Sequence, residues 1–265
     1  MIEIIKPILY PIRKLAARFV NTPELSLANT IIYKAANIIA SDKIEGDYLE
    51  FGVFTGRSFI QAYHVIKEVF KQNQIFDPGC TDKGAGEIRG IWDKMRFFAF
   101  DSFQGLPLPD GLDTESRDFV AGKFACTENN FRANLSKAGM PLSKVVMVAG
   151  WFENTCKEDT IRKYGMKKAS IIHVDCDLYS SAKMVLEFVK PLLTDGTIII
   201  FNDWYCFRGN PVLGEQRAFN EWKATMTDWM FTEYQKEGPW GNSFIANNKG
   251  DKSNESETKE KPAAG

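Results

Sequence analysis

The sequence has few of the residues that build metal centres or disulfide frameworks. It contains only two histidines, His64 and His173, so a site with several histidine ligands is excluded. Its five cysteines are odd in number and scattered, with no C-x-x-C pair, which argues against both a disulfide framework and a structural zinc site. A hydrolase of the Ser-His-Asp type would have to use one of the two histidines.

The sequence also lacks an excess of charge and a long apolar run. Its 33 basic and 34 acidic residues leave a net charge of -1, which argues against nucleic-acid binding through bulk positive charge. No uninterrupted apolar stretch reaches the roughly 18 residues that a membrane-spanning helix needs. The N-terminal residues also do not follow the pattern of a signal peptide, in which positive charges precede an apolar run and a cleavage site. We therefore expect a cytoplasmic protein with no nucleic-acid partner and no stable membrane insertion.

The 265 residues divide into three parts by composition. Residues 1–45 are predicted to form N-terminal helices that pack on the core as a lid or make a homo-oligomer contact. Transient membrane contact through Ile8, Leu9, Tyr10 and Ile12 is the alternative. Residues 46–246 are predicted to form the main domain. Residues 247–265 contain no large apolar side chain, so they are predicted to be a disordered tail.

Short runs rich in Ile, Val and Phe alternate with amphipathic segments through the main domain. The strands are predicted at 47–53, 96–100, 145–148, 170–174 and 197–201, with one or two more within 229–234 and 242–246. Helices are predicted at 58–70, 128–138, 180–193 and 216–225, and the polar, glycine-containing segment 71–93 is predicted to be a surface loop. This alternation predicts an α/β fold with a doubly wound, mostly parallel sheet and helices on both faces.

Ligands of such sheets bind beyond the carboxyl ends of the strands, so the residues that follow each strand are candidates. After the first strand, residues 50–58 read EFGVFTGRS, in which Gly52 and Gly56 allow a tight turn and close approach of a ligand. Neither G-x-G-x-x-G nor G-K-[ST] is present, so the turn is not expected to bind a pyrophosphate. Glu50 could meet an ammonium group. An ordinary strand-to-helix turn with a packing glycine is the alternative.

The second strand ends at Asp101 and Ser102. An acid in this position can accept hydrogen bonds from the two ribose hydroxyls of a nucleoside. The alternative is that Asp101 or Ser102 caps the next turn by accepting hydrogen bonds from its backbone amides.

The fourth and fifth strands are followed by a cluster of oxygen-bearing side chains. Asp175 and Asp177 follow one strand, and Asn202 and Asp203 follow the other. If these strands are neighbours, Asp175, Asn202 and Asp203 come within reach of one point and form an oxygen-only set that suits Mg²⁺, Mn²⁺ or Ca²⁺. Without a cation, such acids would repel and one would stay protonated. The alternative is that these side chains cap a helix and bond to loop amides.

The motifs together resemble a known family. The segments are 46–58 (GDYLEFGVFTGRS), 98–107 (FAFDSFQGLP), 150–154 (GWFEN), 174–180 (VDCDLYS) and 196–204 (GTIIIFNDW). In these the chain resembles class I S-adenosylmethionine-dependent methyltransferases of the macrocin O-methyltransferase family. The resemblance implies a seven-stranded Rossmann-like methyltransferase sheet, S-adenosylmethionine as cofactor, and methyl transfer to a hydroxyl of a sugar or related secondary metabolite.

The resemblance also implies roles for individual residues. The implied cofactor-binding residues are Glu50, Gly52, Thr55, Ser58, Asp101, Ser102, Gly150, Trp151, Phe152 and Asp175. The implied ligands of Mg²⁺ are Asp175, Asn202 and Asp203, and the implied general base is Asp177. The family usually has two aspartates after the fifth strand, whereas this chain has Asn202 in the first position, so metal affinity should be lower.

An aspartate of ordinary pKa is a poor base for an alcohol, but a metal that lowers the pKa of the hydroxyl makes Asp177 adequate. His173 is a competing base, although its place inside a strand favours a buried core histidine. Two further hypotheses stay open at this point. One is metal-independent methyl transfer to another small acceptor, and the other is a non-catalytic protein that binds a nucleoside.

Overall fold

Within residues 30–76, 82–115 and 119–250, which the computed structural model describes, seven strands form one sheet. The strands are β1 (Asp47–Phe51), β2 (Phe97–Asp101), β3 (Val145–Ala149), β4 (Ala169–Val174), β5 (Leu193–Phe201), β6 (Trp229–Glu233) and β7 (Asn242–Asn248). Their order is β3-β2-β1-β4-β5-β7-β6. The first five strands are parallel, and β7 is antiparallel to both β5 and β6. The predicted mostly parallel sheet is confirmed, with an antiparallel pair at one edge.

Helices connect the strands and cover both faces of the sheet. They are α1 (Ile31–Ser41), α2 (Arg57–Phe76), α3 (Asp82–Lys94), α4 (Glu128–Lys137), α5 (Phe152–Thr155), α6 (Glu158–Tyr164), α7 (Tyr179–Val189) and α8 (Gly214–Thr225). Two of them begin with threonine caps, since Thr30 accepts a hydrogen bond from the backbone of Tyr33 and Thr127 from that of Asn130. Gly165, in the left-handed conformation, ends α6.

Successive side chains of a strand point to opposite faces, and here both faces are buried. In β1, Tyr48 enters the apolar cluster on one face, whereas Leu49 and Phe51 enter the cluster on the other. Helices α1, α2 and α3 contribute to the first cluster, and α7 and α8 to the second. Burial on both sides explains why the central strands read as continuous apolar runs.

The prediction of a surface loop at 71–93 is wrong. Helix α2 continues to Phe76, and α3 occupies most of the remainder. The buried side chains of Ile88 and Ile91, with Trp92 packed against the same cluster, give α3 an apolar face that outweighs the poor helix propensity of its glycines. The ammonium of Lys144 donates to backbone carbonyls at the end of α3, including that of Trp92, and so satisfies acceptors that the helix leaves open.

The ends of the main domain also differ from the prediction. Strand β7 extends to Asn248, so the tail predicted from 247 overlaps a strand by two residues. Helix α1 is buried through Ile31, Ala35 and Ile39 in the same core as the main domain. The remaining parts of the predicted N-terminal helices and tail, 1–29 and 251–265, lie outside the described residues. Among the helices that the structure describes, none is both long and apolar enough to cross a membrane.

Candidate active site

The carboxyl ends of the central strands are joined directly by backbone hydrogen bonds. The N–H of Asp175 donates to the carbonyl of Phe51 over 2.9 Å, and the N–H of Asn202 donates to that of Val174 over 2.9 Å. Gly52 has a φ of +89°, and a Cβ there would lie 1.8 Å from the carbonyl oxygen of Asp175. Only glycine fits this position, so the glycine turn and the tip of β4 touch, as the neighbouring strands predict.

A cavity of about 1490 Å³ opens at this edge of the sheet. The predicted site residues that line it are Gly52, Asp101, Ser102, Trp151, Phe152, Asp175, Asp177, Asn202 and Asp203. The predicted site residues that do not line it are Glu50, Thr55, Ser58 and Gly150. The structure therefore brings the predicted base and the three predicted metal ligands to one cavity. Four of the predicted cofactor-binding residues are not part of the cavity lining.

Backbone strain is concentrated around the same cavity. Seven non-glycine residues in the described part of the chain have a positive φ, and five of them line the cavity. These five are Phe54, Phe124, Asp177, Phe207 and Arg208. Each such conformation costs about 1–3 kcal/mol and persists only where the surrounding structure enforces it. The concentration of strain supports the cavity as the functional site, independently of the sequence motifs.

The acids of the cavity are crowded and mostly removed from water. Burial, then the charge of Asp203 and that of Asp175, raise the pKa of Asp177 to about 9. Burial also raises the pKa of Asp175 to about 7, with Asp203 adding to the effect and His173 opposing it. Acids that crowd together without a cation hold protons in this way. Without a cation, burial and the neighbouring acids therefore favour the protonated form of Asp177.

Asp203 has an unused acceptor that fits a cation. Its Oδ1 accepts a hydrogen bond from the thiol of Cys206 over 3.2 Å, whereas its buried Oδ2 has no hydrogen-bond partner among the described residues. An orphaned carboxylate oxygen beside Asp175 and the exposed Asn202 matches the donor chemistry of a hard cation. The described residues include no group of three or more His, Cys, Asp or Glu that could hold a metal ion. The predicted set contains two carboxylates and one amide.

Glu50 belongs to a buried network beneath the glycine turn. Its Oε1 accepts a hydrogen bond from the hydroxyl of Ser58 over 2.6 Å, and its Oε2 accepts one from the hydroxyl of Tyr48. His173 Nδ1 lies 3.4 Å from Oε2. Burial lowers the pKa of His173, but the hydrogen bond and charge of Glu50 outweigh it and raise that pKa to about 8. Glu50 thus ties β1 to the start of α2, and His173 is the buried core residue that its position in the strand predicted.

Asp101 holds the glycine turn through its carboxylate. Its Oδ2 accepts hydrogen bonds from the backbone N–H groups of Val53 and Phe54, both over 2.9 Å, and its Oδ1 accepts one from Phe103 over 2.7 Å. Ser102 shapes the next turn, since its hydroxyl donates to the carbonyl of Gly105 over 2.8 Å. The capping interpretation of these two residues is therefore correct. Because both also line the cavity, contact with a ribose stays compatible with it.

One buried acid near the site was missed from the sequence. Glu215 is 1% exposed, and its Oε2 accepts a hydrogen bond from the backbone N–H of Asp203 over 2.9 Å, while its Oε1 has no partner among the described residues. Burial, followed by the charge of Asp203, raises its pKa well above the ordinary value. A signal was available, because Glu215 precedes Phe219 by four positions and Trp222 by seven, which places it on the apolar stripe of α8.

The strand order and the site at the carboxyl edge define a Rossmann-like methyltransferase fold. A family model for macrocin O-methyltransferase (TylF) matches residues 79–233 of the chain. The chain belongs to this family, as its motifs predicted.

Several known proteins resemble the chain. It is 27% identical over 172 residues to the 8-demethyl-8-(2,3-dimethoxy-alpha-L-rhamnosyl)-tetracenomycin-C 4'-O-methyltransferase of Streptomyces olivaceus, a match that covers 63% of this chain and 56% of that relative. The match thus spans little more than half the relative's length. The O-methyltransferase NovP aligns with a TM-score of 0.60 at 18% identity, covering 82% of this chain and 78% of NovP. The calicheamicin methyltransferase CalS11 aligns with a TM-score of 0.56 at 20% identity, covering 88% and 90%. The similarity to NovP and CalS11 supports the assignment of the fold and does not by itself assign a function.

Proposed function

We propose that this protein transfers a methyl group from S-adenosylmethionine to a hydroxyl group of a sugar or related secondary metabolite, with Mg²⁺ assisting. The observation that carries the proposal is the meeting of Gly52, Asp175, Asp177 and Asp203 at one cavity in a chain of the macrocin O-methyltransferase family. The name of the Streptomyces olivaceus relative, a methyltransferase for a rhamnosyl-bearing compound, supports a sugar hydroxyl as the acceptor.

Residues along one side of the cavity suit the cofactor. S-adenosylmethionine supplies a methyl group that is already activated by its positively charged sulfur. Gly52 leaves the turn open to close approach, and Asp101 faces the space where a ribose would lie. Trp151 and Phe152 offer aromatic surface for adenine. We assign Glu50, Thr55, Ser58 and Gly150 to the support of this side, because they do not line the cavity.

Asp177 is the proposed general base. It lines the cavity, and its backbone has a strained φ of 64°. Asp177 would accept the proton of the acceptor hydroxyl on a carboxylate oxygen. Asp175, Asn202 and Asp203 would hold Mg²⁺, which when bound lowers the pKa of a nearby hydroxyl. The orphaned Oδ2 of Asp203 supports this assignment.

Two measurements on the purified full-length chain test the proposal. Calorimetry with S-adenosylmethionine should detect binding, and mass spectrometry of hydroxylated sugars and phenols incubated with the cofactor should detect a gain of one methyl group. Asp177→Asn should lower turnover by about 10²–10⁴-fold with cofactor affinity nearly unchanged. Asp159→Asn, at an exposed acid on α6, should change neither. Absence of cofactor binding at millimolar concentration would end the proposal.

Methyl transfer without a metal is the second candidate function. It is favoured by Asn202 in place of the family's aspartate and by the lack of a group of three acids, histidines or cysteines that could hold a metal within the described ranges. Treatment with EDTA followed by restoration of Mg²⁺ separates the two candidates. Activity that falls with EDTA and returns with Mg²⁺ supports metal assistance, whereas activity that is insensitive to both supports the second candidate.

A further inference from the structure

The cavity is lined by basic as well as acidic side chains. Among the described residues that line it, the basic ones are Lys123 and Arg208. At about 1490 Å³ the cavity exceeds the roughly 300–1,000 Å³ of ordinary small-molecule sites, so a sizeable acceptor fits beside a nucleoside cofactor. The positive charge of these two side chains therefore bears on what kind of acceptor the cavity selects.

Arg208 is presented by a strained turn. Phe207 and Arg208 have φ values of 57° and 59°, two consecutive left-handed residues without glycine's freedom. The turn is held because the Phe207 ring lies against Phe119, with ring centroids 5.7 Å apart, and fills the space where a side chain at Gly214 would sit. Strain of this kind is expected where it positions a functional group.

The guanidinium of Arg208 is available for a ligand. The side chain is exposed and makes no hydrogen bond or ion pair with any residue in the described part of the chain. The same turn begins at the acidic cluster, since the N–H of Cys206 donates to the carbonyl of Asp203 over 3.0 Å. Arg208 thus lies five positions after Asp203 in the chain.

Lys123 brings the second positive charge from another wall of the cavity. Its backbone carbonyl accepts a hydrogen bond from the N–H of Leu106 over 2.9 Å, so its segment is joined to the loop that follows β2. Its ammonium lies 4.9 Å from the centre of the Phe124 ring and close enough to Asp177 to attract that carboxylate. Two cationic side chains from separate loops thus line the cavity that contains the proposed base.

We propose that the methyl acceptor carries a phosphoryl group, which Arg208 and Lys123 bind while its hydroxyl faces Asp177. The planar guanidinium of arginine matches two phosphate oxygens at once, which makes a sugar linked to a phosphate or diphosphate the fitting class of acceptor. Exposed aromatic surface at the same cavity, Phe124 and Trp240, at 38% and 52% exposure, suits a base or another flat group beyond the phosphate. This inference rests on the proposed function, because it assigns the anion to the methyl acceptor.

Calorimetry on the full chain, saturated with S-adenosylhomocysteine, tests the inference with inorganic pyrophosphate, uridine diphosphate and uridine as probes. Pyrophosphate and uridine diphosphate should bind, and uridine should bind more weakly. Arg208→Gln should weaken binding of both phosphorylated probes roughly 10- to 100-fold, the size expected for hydrogen bonds to a charged group. Arg132→Gln is the matched control, because Arg132 is exposed on α4 and does not line the cavity.

Each outcome decides the inference. Failure of both phosphorylated probes to bind, or equal binding by the wild type and Arg208→Gln, would overturn it. Glucose 1-phosphate and glucuronate distinguish a phosphoryl site from a carboxylate site, and tighter binding of glucuronate would overturn the phosphoryl assignment. If S-adenosylmethionine binds and the phosphorylated probes do not, this inference fails while the proposed function stands. If the probes bind and the cofactor does not, the proposed function fails.

Discussion

The carboxylate of Asp113 accepts a hydrogen bond from the backbone N–H of Tyr179 over 2.7 Å, although the two residues are 66 positions apart. Its second oxygen accepts one from the N–H of Ser180 over 3.2 Å. Asp113, which is 2% exposed, therefore caps α7 from the loop between β2 and α4. The cap therefore joins the loop between β2 and α4, part of which lines the cavity, to the turn that carries Asp177.

Asp113→Ala should lower the free energy of unfolding by about 1–2 kcal/mol, because two N–H groups at the start of α7 lose their acceptor. Chemical denaturation measures the loss, and Asp110→Ala is the control, since Asp110 is exposed and its side chain accepts a hydrogen bond from the adjacent N–H of Gly111. Equal losses in the two variants would contradict the capping role.

A matched pair of glycine substitutions tests the contact between β1 and β4. Gly52→Ala should destabilise the protein by about 2–5 kcal/mol, because its Cβ collides with the carbonyl of Asp175 and its φ of +89° is unfavourable for alanine. Gly86→Ala, in α3 with nothing within 4 Å of the added Cβ, should stabilise it by about 0.5–1 kcal/mol. Thermal unfolding compares them, and a tolerated alanine at Gly52 would contradict the close approach.

Asn202→Asp should raise Mg²⁺ affinity by about tenfold or more, because it adds a negative charge beside Asp175 and the orphaned oxygen of Asp203. Calorimetry with MgCl₂ measures the affinity without depending on turnover. Asn210→Asp adds the same charge elsewhere on the same cavity and serves as the control. An equal gain in both variants would mean that the effect is general attraction, and no gain would contradict the ligand assignment.

Glu215 should act through the backbone of Asp203 more than through its own charge. Glu215→Gln keeps an oxygen that can accept from the N–H of Asp203, so the free energy of unfolding should stay within about 1 kcal/mol of the wild type. Glu215→Ala removes the acceptor and leaves a cavity, which should cost about 2–4 kcal/mol. Urea denaturation of both variants provides the comparison. A loss in Glu215→Gln as large as that in Glu215→Ala would contradict the acceptor role and show that the carboxyl group itself is required.

Much of the fold followed from local patterns. The buried strands were predicted within a few residues at most ends, because continuous apolar runs of this length suit strands covered on both faces. The meeting of Asp175, Asn202 and Asp203 at one edge also followed, since parallel neighbours end on the same side. Helix α3 was missed because its glycines have poor helix propensity. The helix is stabilised by the packing of Ile88 and Ile91 in the core, which the sequence pattern did not reveal.

The sequence by itself determined the succession of strands, the motifs and the family, because these depend on residue type and spacing along the chain. Only the tertiary structure decided which polar groups face the cavity and which are occupied by hydrogen bonds within the protein. Glu50 accepts hydrogen bonds from Ser58 and Tyr48 and lies beside His173. Asp113 accepts a hydrogen bond from the start of a helix 66 positions away. These contacts form because buried donors and acceptors need hydrogen-bond partners, and folding brings together groups that are distant in the sequence.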